Sequence, residues 1–105
     1  MTSRSVENCP VARSLEVVGD RWTILILRDL LLDGSRRFQE LQGSLTGISP
    51  NTLSARLKRL EEHGVIERRF YGDRPPRAEY VLTKKGRELG PVVKALRAWG
   101  TKQAT

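Results

Sequence analysis

The run at residues 22–32, WTILILRDLLL, is the feature that most limits what this chain can become. Arg28 and Asp29 interrupt it, and it falls well short of the about 20 apolar residues a bilayer span needs. It therefore reads as a helix of the protein interior. Asp20 stands where an N-cap acceptor belongs, and Gly34 stands where a helix stops. Apolar side chains nearly all round such a cylinder need burial on more than one side, so other elements must pack about it. The preceding PVARSLEVVG supplies one: Pro10 suits a first helical position, Val11, Leu15 and Val18 recur at i, i+4 and i+7, and Gly19 closes the segment. A short third helix reads over residues 38–45. Phe38, Leu41 and Leu45 mark its face, and Thr46-Gly47 forms the break.

A chain of 105 residues with 38% hydrophobic content supports one core. Its charge balance is the more telling number. Nineteen Lys and Arg against twelve Asp and Glu give +7, and a pI near 10.3. That favours a polyanionic partner, nucleic acid or an anionic membrane surface, although a basic protein need not have one. The opening MTSRSVEN lacks the apolar centre of a secretion signal, and a single cysteine builds no disulfide framework within one chain. A cytoplasmic location is the expectation.

The segment GISPNTLSARLKRLEEHG, residues 47–64, gives the charge a place. Ser49 is a good N-cap, Pro50 suits the first turn because it has no N–H to leave unpaired, and Gly64 ends the helix. Leu53, Leu57 and Leu60 form one stripe. A step of about 100° per residue carries Asn51, Thr52, Ala55, Lys58 and Arg59 to the opposite side, with Arg56 at the margin. Short polar side chains at the positive end of a helix, flanked by cations, suit phosphates and base edges in a major groove. The bland reading is a solvated helix on which Glu61 and Glu62 pair with Arg and Lys.

Residues 65–82 favour the groove. VIERRFY and RAEYVL are β-prone segments joined by GDRPP, so they read as a hairpin with Arg68, Arg69, Arg74 and Arg77 upon it. The Pro75-Pro76 pair stiffens the tip between Arg74 and Arg77. A helix-turn-helix joined to a basic hairpin is a winged helix. The expected fold is mainly α with a small β-hairpin: a winged helix-turn-helix.

At this point the motifs resemble a family. CPV, GDRWT, RRFQEL, GISPNTLSARL and PPRAEYVLT, within a resemblance that covers residues 9–99, closely match the HxlR-type winged-helix transcriptional regulators, relatives of the MarR group. The resemblance implies a bacterial or archaeal homodimer that binds double-stranded DNA at an inverted-repeat operator. Ser49, Asn51, Thr52, Ser54 and Arg56 match the family's recognition helix, and Arg77 matches its wing. With Arg36, Arg37, Lys58, Arg59 and Arg74 they make up the expected DNA-binding set. Ala55, which offers only a methyl group, and Arg74 depart from the pattern, so the operator sequence does not transfer.

The last helical stretch, KKGRELGPVVKALRAWG, is capped by Thr83 and carries Leu89, Val92, Val93, Leu96 and Trp99 on one stripe. Pro91 predicts a kink or break near Gly90-Pro91. Packing on the protomer's own core is one use of this stripe, and a partner subunit is the other. In the family the terminal helices form a dimer clasp, so the interface candidates are Val11, Leu15, Leu89, Val92, Val93, Leu96 and Trp99. The expected organisation is a flexible arm at 1–8, the winged-helix and dimerisation domain at 9–99, and a frayed tail at 100–105.

Cys9, the only thiol, precedes Pro10 at a helix start, where the helix end with Arg4 and Arg13 favours thiolate. Several HxlR-type regulators sense oxidants or electrophiles through the matching cysteine, which makes Cys9 a redox-sensing candidate beside the alternative of an inert, packed thiol. One His, one Cys and no carboxylate cluster at ligand spacing assemble no triad or metal site, so no enzyme, metal or cofactor is expected. A regulator that responds to a non-covalent small ligand and a winged helix that binds RNA stay open as alternatives.

Overall fold

The computed structural model describes residues 8–72, 75 and 77–103. Its elements in chain order are α1 (Pro10–Val18), α2 (Arg21–Asp33), β1 (Arg36–Arg37), α3 (Phe38–Ser44), α4 (Pro50–Glu62), β2 (Ile66–Tyr71), β3 (Arg77–Leu82), α5 (Lys84–Arg87) and α6 (Gly90–Gln103). The apolar run is indeed the central helix. Asp20 caps it by accepting from the Thr23 amide at 2.9 Å and the Thr23 hydroxyl at 2.6 Å. Thr23, Ile26, Leu27, Asp29 and Leu30 are buried along it, while Leu32 at its end is exposed.

Around α2 the core closes with Leu41 and Leu45 from the α3 region, Leu53, Leu57 and Leu60 from α4, and Val65, Ile66 and Tyr80 from the hairpin. Burial of one full α4 stripe pins the rotation of that helix, since any other rotation would put Lys58 or Arg59 inside. Ser49 caps α4 through the Thr52 amide at 3.1 Å. The α4 C-terminus passes through Gly64 directly into β2.

The hairpin is antiparallel with Ile66 opposite Leu82, Arg68 opposite Tyr80 and Tyr71 opposite Arg77. A further strand, absent from the sequence-based expectation, lies on the other side of β3: Arg36 pairs with Tyr80 and Arg37 with Glu79, giving the order β1-β3-β2. Two residues are too few to show an alternating pattern; what makes them a strand is the edge of β3 beside them.

Thr83 ties the sheet to α5. Its hydroxyl donates to the Gly64 carbonyl at 2.6 Å and accepts from the Gly86 amide at 3.1 Å. Gly86 lies so close to the Val65 carbonyl that a β-carbon there would overlap it. The expected interruption at Gly90-Pro91 is present, with α5 ending at Arg87 and α6 beginning at Gly90. Pro91 thus sits in a first turn, where its missing N–H has no partner to lose. The tail differs from expectation: α6 continues through Gly100 to Gln103, and the Thr101 hydroxyl donates to the Arg97 carbonyl at 2.8 Å. Residues 100–103 are therefore helical. Residues 1–7 of the expected arm, and residues 104–105, lie outside the described residues.

Candidate nucleic-acid interface

Two helices and a tight connection, α3 and α4 joined through Leu45–Ser49, form a helix-turn-helix, and the turn is held by the Ile48 amide donating to the Leu45 carbonyl at 3.0 Å. Because Leu53, Leu57 and Leu60 face the core, Asn51, Ser54, Ala55, Lys58 and Glu62 are exposed along the outer side of α4. Ser49 and Thr52 serve the local fold: their hydroxyls bond each other at 2.9 Å in addition to the cap. They shape the helix entrance and leave Asn51 and Ser54 as the short polar groups free to meet a ligand.

Beside this face runs an open groove of about 450 Å³ between α4 and the sheet, lined by Ser54, Lys58, Glu61, Glu62, Arg68 and Tyr80. Arg68 lies over the Phe70 ring, 5.3 Å from its centre. Burial is the main influence that pushes the Tyr80 phenol above its ordinary value, with the facing Arg68 pulling the other way. Sequence reasoning puts Arg68 on the hairpin but leaves it out of the DNA-facing set. Strand alternation is the signal that could have found it, since Ile66, Arg68 and Phe70 share a face and Ile66 is buried against the core.

The other arginines divide. Arg77 is exposed at the start of β3, whereas Arg74 lies outside the described residues. Arg36 is largely covered and lies within 3.7 Å of Asp33 and 3.8 Å of Glu40. Arg37 is half exposed and pairs with Glu40 at 3.3 Å. The Arg37 amide and then its side chain hold the Glu40 carboxyl below its ordinary range. Arg56 and Arg59 are engaged within the protomer as well, Arg56 with the Asp20 carboxylate at 3.2 Å and Arg59 with the Glu16 carbonyl. Of the cations expected on the DNA side of α4, Lys58 alone projects with neither an ion pair nor a hydrogen bond among the described residues.

At the far side the expected interface candidates also divide. Leu89 and Val93 pack against the protomer's own core. Val92, Leu96 and Trp99 are exposed at i, i+4 and i+7 on α6, Trp99 at 64%, and Val11 and Leu15 are exposed on α1. Cys9 is the α1 N-cap residue, partly exposed, with its carbonyl accepting from the Arg13 amide at 2.9 Å. Among the described residues no group of three or more His, Cys, Asp or Glu is placed to hold a metal ion, and no helix is long and apolar enough to cross a membrane.

A helix-turn-helix whose second helix presents polar and cationic side chains beside an antiparallel hairpin defines the winged helix-turn-helix class of DNA-binding proteins. Within that class the chain belongs to the HxlR-like helix-turn-helix family, whose profile matches residues 17–105. It is a transcriptional regulator and not an enzyme. Over 93 residues it is 43% identical to the uncharacterised HTH-type transcriptional regulator sll1512 of Synechocystis sp., covering 89% of this chain and 68% of that one. A structure from Porphyromonas gingivalis W83, described as a MarR-family transcriptional regulator, superposes with a TM-score of 0.88 at 32% identity, covering 98% of this chain and 100% of that one. The redox regulator HypR is 34% identical, with a TM-score of 0.84 in its reduced form, over 90% of this chain and 92% of that one. Its oxidised form gives 0.86, over 92% and 99%.

Proposed function

We propose that the protein binds an inverted-repeat operator as a homodimer, with α4 of each protomer in a major groove and the hairpin reaching the flanking backbone. The observation that carries this reading is the outer side of α4: Asn51, Ser54, Ala55 and Lys58 in one exposed row, with Arg68 across the adjoining groove. Asn51 and Ser54 offer hydrogen bonds to base edges, Ala55 a methyl contact, and Lys58 and Arg68 charge for phosphates. Arg77 and Arg37 extend the phosphate contacts to either side. The exposed Val92, Leu96 and Trp99, with Val11 and Leu15, supply an apolar surface for the second protomer. The protein then acts on DNA in the cytoplasm of a bacterial or archaeal cell.

The test is binding of a duplex selected by the protein from a randomised pool, beside a scrambled duplex, over a range of salt. Affinity for the selected duplex falls steeply with salt, because neutralised phosphates release counterions, and the scrambled duplex binds more weakly. Equal affinity for both duplexes, or binding indifferent to salt, defeats the proposal.

A second element is regulation through Cys9 by an oxidant or an electrophilic quinone or aldehyde. Its support is the partly exposed thiol at the N-terminus of α1, together with the likeness to HypR, a redox regulator known in reduced and oxidised forms. With one cysteine per chain, the available products are an adduct, an oxidised acid or a disulfide between protomers.

A further inference from the structure

Two arginines that a count of charges would assign to DNA point elsewhere, and they point to one place. Arg56 and Arg59 are one turn apart on the same edge of α4. The first pairs with Asp20, the N-cap of α2, and the second donates to the Glu16 carbonyl in the last turn of α1. Both partners belong to the corner joining α1 to α2. The corner itself is tight: the Gly19 α-carbon lies so close to the Leu15 carbonyl that a β-carbon would overlap it. A carbonyl in the last turn of a helix lacks an intrahelical donor and carries the negative end of the helix dipole, so a guanidinium suits it.

We infer that Arg56 and Arg59 are positioning residues that lock α4 to the α1–α2 corner, so that the angle at which α4 meets DNA is set by α1. This deepens the DNA-binding reading and rests on it. Three features support the lock over a pair of waiting phosphate ligands. The Arg56 Nε is sealed from solvent without a hydrogen-bond partner and lies 3.2 Å from the Asp20 carboxylate, so swinging the side chain out to a phosphate separates an ion pair. Asp20 is fixed in turn by two hydrogen bonds from Thr23, so it is a rigid anchor and not a mobile surface carboxylate. Arg59 takes a backbone carbonyl 43 residues away in the chain, a contact that survives only while α1 and α4 keep their spacing. A displacement of α1, which carries Cys9 at its start and the exposed Val11 and Leu15 along it, therefore reaches α4 through the Arg59–Glu16 contact at the far end of that nine-residue helix and through Asp20 at the corner just beyond it.

The experiment compares Asp20→Asn, Arg56→Gln, their double variant and Arg59→Gln in the full chain. Asn keeps the α2 cap while removing the charge that holds Arg56. The probe is the duplex selected by the unaltered protein from a randomised pool, titrated at several salt concentrations, with amide hydrogen exchange measured on the free proteins. The lock predicts that Asp20→Asn and Arg56→Gln each weaken binding by about five- to tenfold, that the double variant is no worse than the weaker single one, and that the dependence on salt is unchanged. Exchange quickens together in the last turn of α1 and in α4 in all four variants. A direct phosphate role for Arg56 gives the opposite pattern: Arg56→Gln lowers the salt slope by about one, while Asp20→Asn binds as well as the parent or better. That result, or exchange unchanged in the single variants, overturns the lock. If selection returns no duplex, the DNA-binding reading fails on its own and the exchange measurement alone decides the lock.

Discussion

Leu57 and Lys58 are neighbours in sequence on α4 and face opposite ways, which makes them a test of how that helix sits. Leu57 is 1% exposed in the middle of the core stripe, between Leu53 and Leu60, both sealed from solvent. Replacing it with alanine removes buried methyl groups at a site whose neighbours come from several elements and cannot all collapse inward. A loss of about 3 kcal/mol is expected, the middle of the range for such truncations. For a domain of this size that corresponds to a fall in Tm on the order of 15 °C. Lys58→Ala removes an exposed side chain and changes stability by less than about 0.5 kcal/mol, but it weakens duplex binding for all sequences and lowers the salt slope by about one. Thermal melts of both variants at one fixed protein concentration, followed by anisotropy titrations below the lower Tm, separate the two effects. A Leu57→Ala protein that melts with the parent, or a Lys58→Ala protein that loses its fold, would mean that α4 is rotated so that its leucine stripe no longer faces the core.

Trp99→Ala removes the largest exposed apolar side chain of α6 and weakens self-association, moving the monomer–dimer midpoint seen by sedimentation to higher concentration; removal of residues 91–105 does so more strongly, and a truncated chain still dimeric at micromolar concentration places the interface elsewhere. The acid limb of stability reports on Asp20 and Glu40, both held below their ordinary values of 3.8 and 4.5: burial opposes ionisation of Asp20, but Thr23 and Arg56 outweigh it, and the Arg37 amide and side chain act on Glu40. A lowered folded value means that their contribution is complete above the unfolded carboxyl range and is lost as pH falls through the folded values, so denaturation midpoints drop below pH about 4 and the drop is shallower in Asp20→Asn. Diamide or a quinone applied to the reduced protein modifies Cys9 and changes duplex affinity, and Cys9→Ser abolishes the change; full modification with unaltered binding leaves Cys9 a structural residue.

Elements that bury a regular stripe were legible in the chain. The i, i+4, i+7 spacing of Leu53, Leu57 and Leu60 sets both the helix and its facing, and Asp20, Ser49 and Thr83 announce helix starts because their oxygens meet first-turn amides. What stayed hidden depends on partners distant in sequence. The strand β1 exists only because β3 lies beside it. Gly100 reads as a stop, yet glycine inside an otherwise favourable helix costs only about 1 kcal/mol relative to alanine and does not end α6. The largest gap concerned charge: periodicity puts Arg56 and Arg59 at or near the outer face, but nothing local shows that long flexible side chains curl back to Asp20 and Glu16. Arg68 was the converse, a groove residue that strand alternation would have revealed.

The central claim is that two copies of α4 read base edges in successive major grooves. The most direct measurement is the sequence and footprint of duplexes selected by the protein from a randomised pool. The claim predicts an inverted repeat with half-site centres about 34–36 Å apart, protection of successive major grooves on one face, and loss of the half-site preference in Asn51→Ala and Ser54→Ala proteins that melt with the parent. A pool without symmetry, or an unchanged consensus in both variants, would contradict it.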